Sequence, residues 1–305
     1  MATLECTVTE ELGGARLDKA LVSLVEGASR ARVKRAIDDG EIRVNGRRAP
    51  KGAVVNAGDV ITAPETLGRS TDEAVVPEPD APLRVVFEGK EVLVVDKPAG
   101  QPTAPLRADE SGTLAGALVG HHPELAGIGY NAREPGLLHR LDTETSGLVV
   151  VARNAEAFEA LRDALQSELL TKEYLLVCAS EGLPDEGTIE HPIANHPKDK
   201  KRVYVCIHPR DVMRNAPRQA LTRFEVVQRS GAYALVRATA PKAIRHQIRA
   251  HFASIEHPLI GDALYGEPSD RIARHALHAS RVAFNGDPKF DATSELPADM
   301  AALLA

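Results

Sequence analysis

A carboxylate delivered by a short polar loop to the mouth of an apolar strand is the first feature of this sequence that could do chemistry. Asp142 lies in Leu138-His139-Arg140-Leu141-Asp142-Thr143-Glu144-Thr145-Ser146-Gly147, and the apolar run 148–151 follows. An Asp before Thr and Ser at a strand entrance is commonly an Asx-turn or a cap. Three features argue for more. The start of a buried strand is a rigid support, the hydroxyls of Thr143, Thr145 and Ser146 can orient the carboxylate, and His139 and Arg140 stand beside it, able to contact phosphate or substrate. A second segment, Arg245-His246-Gln247-Ile248-Arg249-Ala250-His251, reads as helix. Ile248, Phe252 and Ile255 form its core stripe, and Arg245 and Arg249 fall four apart on one side. Like charges at that spacing repel mildly, which makes sense where they face an anion; a surface pair reaching water is the plainer alternative. In the third segment, Lys172-Glu173-Tyr174, the tyrosine opens a strand, where packing with its hydroxyl at the rim is the ordinary role.

Familiar cofactor signatures are absent: there is no G-x-G-x-x-G, P-loop or H-E-x-x-H. The eleven histidines raise the question of a metal. His246 and His251, five apart, are rotated by about 140° on a helix and share no face. His275 and His278 could share one but lack an evident carboxylate or thiol companion. Cys6, Cys178 and Cys206 are far apart and form no C-x-x-C, which disfavours a disulfide framework and a zinc knuckle. No metal is expected.

Several apolar runs must carry these groups. Residues 84–87, 92–95, 148–151 and 174–178 read as buried strands, with further strands at 220–228 and 232–238. Asn154 caps a helix reaching Leu169, whose stripe is Phe158, Leu161, Leu165 and Leu169. A helix over 246–256 stops before Pro258. Strands of mixed spacing with irregularly interspersed helices predict an α+β fold rather than a doubly wound sheet.

The chain has 305 residues, 43% hydrophobic and 26% charged. These globular values exclude wholesale disorder and fibre. No apolar run approaches the roughly 18 residues needed to cross a bilayer, and residues 1–14 are acidic without the apolar core of a secretory leader, so a cytoplasmic protein without membrane association is expected. The net charge of −6, the absence of Trp and the six Phe and five Tyr exclude bulk phosphate neutralisation and an extended base-stacking platform. Any nucleic-acid contact must therefore be local. Residues 30–51 supply it, with eight Lys or Arg against three acids. Ser29 is the expected N-cap of a helix over 30–39 that Gly40 stops. Ala31, Val33, Ala36 and Ile37 form its apolar side, with Arg32 and Arg35 opposite. A strand over 41–44 turns at Asn45-Gly46, a hairpin signal; a helix over 17–25 precedes, and a strand at Val60-Ile61 follows. Residues 65–82, rich in Pro, Gly, Ser, Thr and acids, read as a linker.

The series Arg16-Leu17-Asp18-Lys19, Ser29-Arg30, Ile37, Gly40, Val44-Asn45-Gly46 and Gly58-Asp59-Val60-Ile61 resembles the S-four-type RNA-binding domain. That resemblance implies recognition of structured RNA through Arg30, Arg32, Arg35, Arg43, Arg47 and Arg48. The rest of the chain resembles the RluA-type pseudouridine synthases. The landmarks are Val94-Val95-Asp96-Lys97-Pro98-Ala99-Gly100, His139-Arg140-Leu141-Asp142 with Thr145-Ser146-Gly147-Leu148, Lys172-Glu173-Tyr174, and Ala220-Leu221-Thr222. His246-Gln247-Ile248-Arg249, His257-Pro258-Leu259-Ile260-Gly261-Asp262, Tyr265-Gly266 and Leu277-His278-Ala279 complete the series.

This resemblance implies a pseudouridine-synthase fold, with a mixed, largely antiparallel sheet, flanking helices and a central cleft. A small α/β RNA-binding domain precedes it, giving domains at 1–64 and 83–305. It also implies conversion of uridines in RNA, with large-subunit ribosomal RNA or its precursor particles as partner, by a cofactor-free monomer. Asp142 matches the catalytic aspartate, Tyr174 the active-site tyrosine and Arg249 the arginine that pairs with the aspartate. His139, Arg140 and Arg245 are the candidate RNA contacts near them. Where the family usually has Gly-Arg-Thr, this chain has Ala243-Ile244-Arg245, and the basic stretch 196–219 matches poorly, which points to altered RNA contacts. A non-catalytic RNA-binding assembly factor and a hydrolase that releases uracil are the competing readings.

Overall fold

The computed structural model describes residues 3–28, 30–68, 74–107, 109–241 and 243–305. The chain divides into two compact units, Met1–Ala74 and Val75–Ala305.

The first unit joins two short helices, Leu17–Leu24 and Arg30–Asp39, to a four-stranded antiparallel sheet. In spatial order the strands are Thr3–Thr7, Val60–Pro64, Arg43–Val44 and Arg47–Arg48. The Asn45-Gly46 turn has positive φ at both residues, 50° and 77°, as a tight hairpin turn requires. Leu17, Leu21, Val33, Ile37, Ile42 and Ile61 make the core. Gly40 ends the second helix at φ 76°, where an added Cβ would collide with the Arg48 guanidinium. Ser29, the expected cap, lies outside the described residues. Leu67, within the stretch expected as linker, is buried in this core, whereas Val75 is buried in the core of the second unit.

The second unit is built on a nine-stranded sheet. From edge to edge run Val85–Glu88, Val92–Lys97, Ser146–Ala152, Leu277–Phe284, Thr171–Ala179, Tyr233–Thr239, Thr222–Ser230 and Glu186–Ile189, with Phe290–Thr293 added beside Leu277–Phe284. One pairing among the described residues is parallel: Ser146 and Gly147 against His278 and Ala279. The others are antiparallel, so the α+β expectation holds. Alternation along the strands separates two cores. Leu93, Val95, Val149, Val151, Leu176 and Val236 face one side with the helices Leu114–His121 and Gln247–Ser254. Val92, Val94, Leu148 and Val150 face the other, under the helix Ala155–Gln166.

Two helix boundaries differ from the expectation. The helix capped by Asn154 ends at Gln166, because Glu168 turns left-handed at φ 61°. Leu169 is thereby thrown into solvent and Leu170 takes the buried place. The helix expected over 246–256 begins at Gln247, since His246 is itself left-handed, φ 57°. Arg245 and Arg249 therefore do not share a helix face. The poorly matched basic stretch folds as a hairpin, Ile193–Asn195 with Val203–Val205, followed by the helix Pro209–Asn215.

Candidate active site

The sheet brings Asp142, Tyr174 and Arg249 together on the face covered by the helix Gln247–Ser254. The two parallel strands hold the frame. Gly147 sits at φ 112°, and a Cβ there would collide with the carbonyl oxygen of Ala279. Only glycine lets the strands approach this closely.

The loop before Gly147 is held by its backbone. The Thr103 hydroxyl donates to the Leu141 carbonyl at 2.7 Å and accepts from the Leu141 amide at 3.1 Å. The buried Lys97 ammonium donates to the carbonyls of Pro98, Gln101 and Thr143 at 2.9, 2.7 and 3.0 Å, using its three donors. Burial lowers its pKa to about 8. Thr145 donates its amide to the Asp142 carbonyl at 3.0 Å, closing a turn. The hydroxyls of Thr145 and Ser146 do not orient the carboxylate as expected: they bond to His275 and His278, at 2.7 and 2.9 Å.

Asp142 keeps 23% of its side chain exposed, while that of Arg249 is 7% exposed. Nη1 of Arg249 donates to Oδ2 of Asp142 at 2.8 Å. Its other two nitrogens, Nε and Nη2, donate to the buried Asp262 at 2.7 and 2.8 Å. Burial alone would lower the pKa of Arg249, but its bonds to Asp262 and Asp142 outweigh this and raise it. Asp262 shows the mirror image: burial pushes its carboxyl up, and Arg249 draws it below the usual range. Oδ1 of Asp142 lies 3.7 Å from Nε2 of His246. The other nitrogen of that ring bonds the Tyr265 hydroxyl at 3.0 Å, which also accepts the Val203 amide at 2.8 Å. The faces of Tyr265 take the guanidinium groups of Arg249 and Arg202, each 5.3 Å from the ring centre. Tyr174 is buried, and burial, followed by the charge of Asp142, raises its pKa.

The other expected contacts separate into exposed and enclosed groups. Arg140 reaches solvent and pairs with Glu134 at 2.7 Å. Arg245 is exposed and staples the basic hairpin, donating to the carbonyls of Lys200 and Arg202 at 3.1 and 3.0 Å. His139 turns inward. Its Nε2 accepts the Val150 amide at 3.2 Å, and burial, then the charge of Lys172, drives its pKa down to about 3. A neutral ring committed to a strand amide is unsuited to hold phosphate, so the structure moves His139 from RNA contact to loop support. In the first unit Arg30, Arg35, Arg43, Arg47 and Arg48 are exposed, whereas Arg32 bonds the carbonyls of Gly27 and Thr66 at 2.8 and 3.2 Å. Sequence reasoning assigned no role to Asp262, Lys97, Thr103 or Tyr265. Lys97, Asp262 and Tyr265 stand within family landmarks, which was the visible signal; Thr103 carried none.

A family model for RNA pseudouridylate synthase matches residues 91–254, and an S4 domain model matches residues 15–61. An uncharacterised RNA pseudouridine synthase of Bacillus subtilis is 33% identical over all of this chain and 98% of its own length. The chain belongs to the RNA pseudouridine synthases. Ribosomal large subunit pseudouridine synthase D of Yersinia pestis is 34% identical to this synthase, over 86% of this chain and 76% of that protein. The solved structure of human RNA pseudouridylate synthase domain containing 1 superposes on it with a TM-score of 0.59 and 26% identity, over 73% of this chain and 88% of that one. The synthase is thus an enzyme that isomerises uridine in RNA to pseudouridine, and it carries an S4 domain.

Proposed function

We propose that this synthase modifies uridines of large-subunit ribosomal RNA in the cytoplasm, as a monomer without metal or organic cofactor, with Asp142 as the reacting carboxylate. The ribosomal target is supported by the name of the Yersinia pestis relative. The role of Asp142 is carried by one observation: Arg249 holds Oδ2 of a partly exposed carboxylate and leaves Oδ1, 3.7 Å from Nε2 of His246, without a bond from the guanidinium. The isomerisation breaks the bond between the sugar anomeric carbon and the base nitrogen, turns the base, and rejoins it through carbon 5, whose proton leaves. A carboxylate can assist cleavage by adding to the sugar or by taking a proton from it; either route needs an ionised acid with a free oxygen. Arg249 orients that acid through its hydrogen bond to Oδ2. Tyr174 supplies a face for the base and an oxygen near carbon 5. The target must leave its stack, at a cost of a few kcal/mol, and exposed Arg140 and Arg245 meet the flipped nucleotide. The exposed arginines of the S4 domain anchor the RNA.

The test uses purified protein, EDTA and RNA tritiated at carbon 5 of uridine. Tritium should be released without free uracil. Uracil as the main product would convert the reading to hydrolysis, and dependence on added zinc would overturn the cofactor-free claim. Pseudouridine mapping in cells with and without the protein decides the target: loss confined to transfer RNA would overturn the ribosomal assignment.

A further inference from the structure

We propose that Asp262 is a positioning residue for the isomerisation: it occupies the two-pronged edge of Arg249, so that Arg249 meets Asp142 with one nitrogen and leaves Oδ1 of Asp142 to the substrate. The inference rests on the reading of Asp142 as the reacting carboxylate.

An arginine has a preferred way to bind a carboxylate, two parallel N–H bonds to both oxygens. Made with Asp142, that pairing would occupy both oxygens of the group that must react. In this structure the fork is given to Asp262 instead, Nε and Nη2 reaching its two oxygens at 2.7 and 2.8 Å. The remaining nitrogen, Nη1, takes Oδ2 of Asp142 at 2.8 Å. Asp262 is fitted for this. It is 1% exposed, and its Oδ1 also accepts the amides of Leu264 and Tyr265 at 3.1 and 3.2 Å. The Tyr265 ring lies against the guanidinium face. Both the edge and a face of Arg249 are therefore fixed by the segment after Pro258, which acts on Asp142 through Arg249. The guanidinium is thereby shared between two carboxylates.

The test compares full-length wild type with Asp262→Asn, Asp262→Glu and Asp142→Asn, using single-turnover rates on saturating RNA and the RNA dissociation constant. Asp142→Asn should bind RNA and fail to turn over. Asp262→Asn should bind RNA within about twofold of wild type yet lose about 10- to 100-fold in rate, the range seen when a support of an active-site group is removed. Asp262→Glu keeps the charge and a fork, and should recover part of that loss. A wild-type rate in Asp262→Asn beside a dead Asp142→Asn overturns the role of Asp262. An active Asp142→Asn overturns the reading beneath it. Should Asp262→Asn fail to fold, Asp262→Glu decides: its longer arm displaces Arg249, and an unchanged rate in that folded variant overturns the proposal.

Discussion

Thr103 clamps both backbone groups of Leu141 with one hydroxyl, 38 residues away in sequence. This is the residue immediately before Asp142, so the clamp sets where the carboxylate starts. Thr103→Val keeps the shape and removes both bonds. Leaving a buried amide and carbonyl unpaired costs about 1–3 kcal/mol. We expect that loss in urea unfolding, and a fall in single-turnover rate of about 100-fold through misplacement of Asp142. A stable, fully active Thr103→Val would show that the remaining bonds, from Lys97 and the Thr145 amide, hold the loop without it.

Gly147→Ala tests the parallel join at the centre of the sheet. The methyl group would meet the Ala279 carbonyl in a backbone conformation that disfavours any side chain. Forced separation of the strands should cost about 2–4 kcal/mol and carry Asp142 away from Arg249. Circular dichroism melts and tritium release check the two effects separately.

Stability should fall on mild acidification. Burial lowers the pKa of His251 to about 4 and of His139 to about 3, and lowers that of His275 as well. Their unfolded value is about 6.5. Between these limits the unfolded chain binds more protons than the folded one, so the stabilisation is complete above pH 6.5 and lost as pH falls toward 4. Each histidine contributes up to about 1.4 kcal/mol per pH unit in that window. Urea midpoints at pH 7 and pH 5 measure it; equal midpoints would contradict the neutral, buried rings.

Salt dependence should report the S4 domain. Arg30, Arg35, Arg43 and Arg47 are exposed. Replacing all four by Gln should reduce the slope of log affinity against log salt by about 0.7–0.9 for each phosphate that is no longer neutralised. The rate on saturating RNA should stay within about twofold, because none of the four belongs to the unit that holds Asp142. An unchanged slope would remove these arginines as the anchor.

Much of the candidate site is legible in the order of residues alone. The run 148–151, the helix with Ile248 and Phe252 inward, and the strand carrying Tyr174 follow from the spacing of apolar side chains, a short-range property of the chain. Asp142, Tyr174 and Arg249 are marked by their motifs. What tertiary structure alone decided is how they are held. The Asp142–Arg249 pairing was implied by the resemblance, but Thr103 and Leu141 are 38 residues apart, Thr145 and His275 130, and no local pattern states that these distant groups will meet. Asp262 stands in the sequence within a family landmark and without a role; that it takes the fork of Arg249 appears only once the fold buries both. His139 reads as a phosphate contact until folding encloses its ring against the Val150 amide. Periodicity encodes which face of an element is buried, because the backbone repeats. It does not encode which polar atoms share that burial, because their partners arrive from elsewhere in the fold.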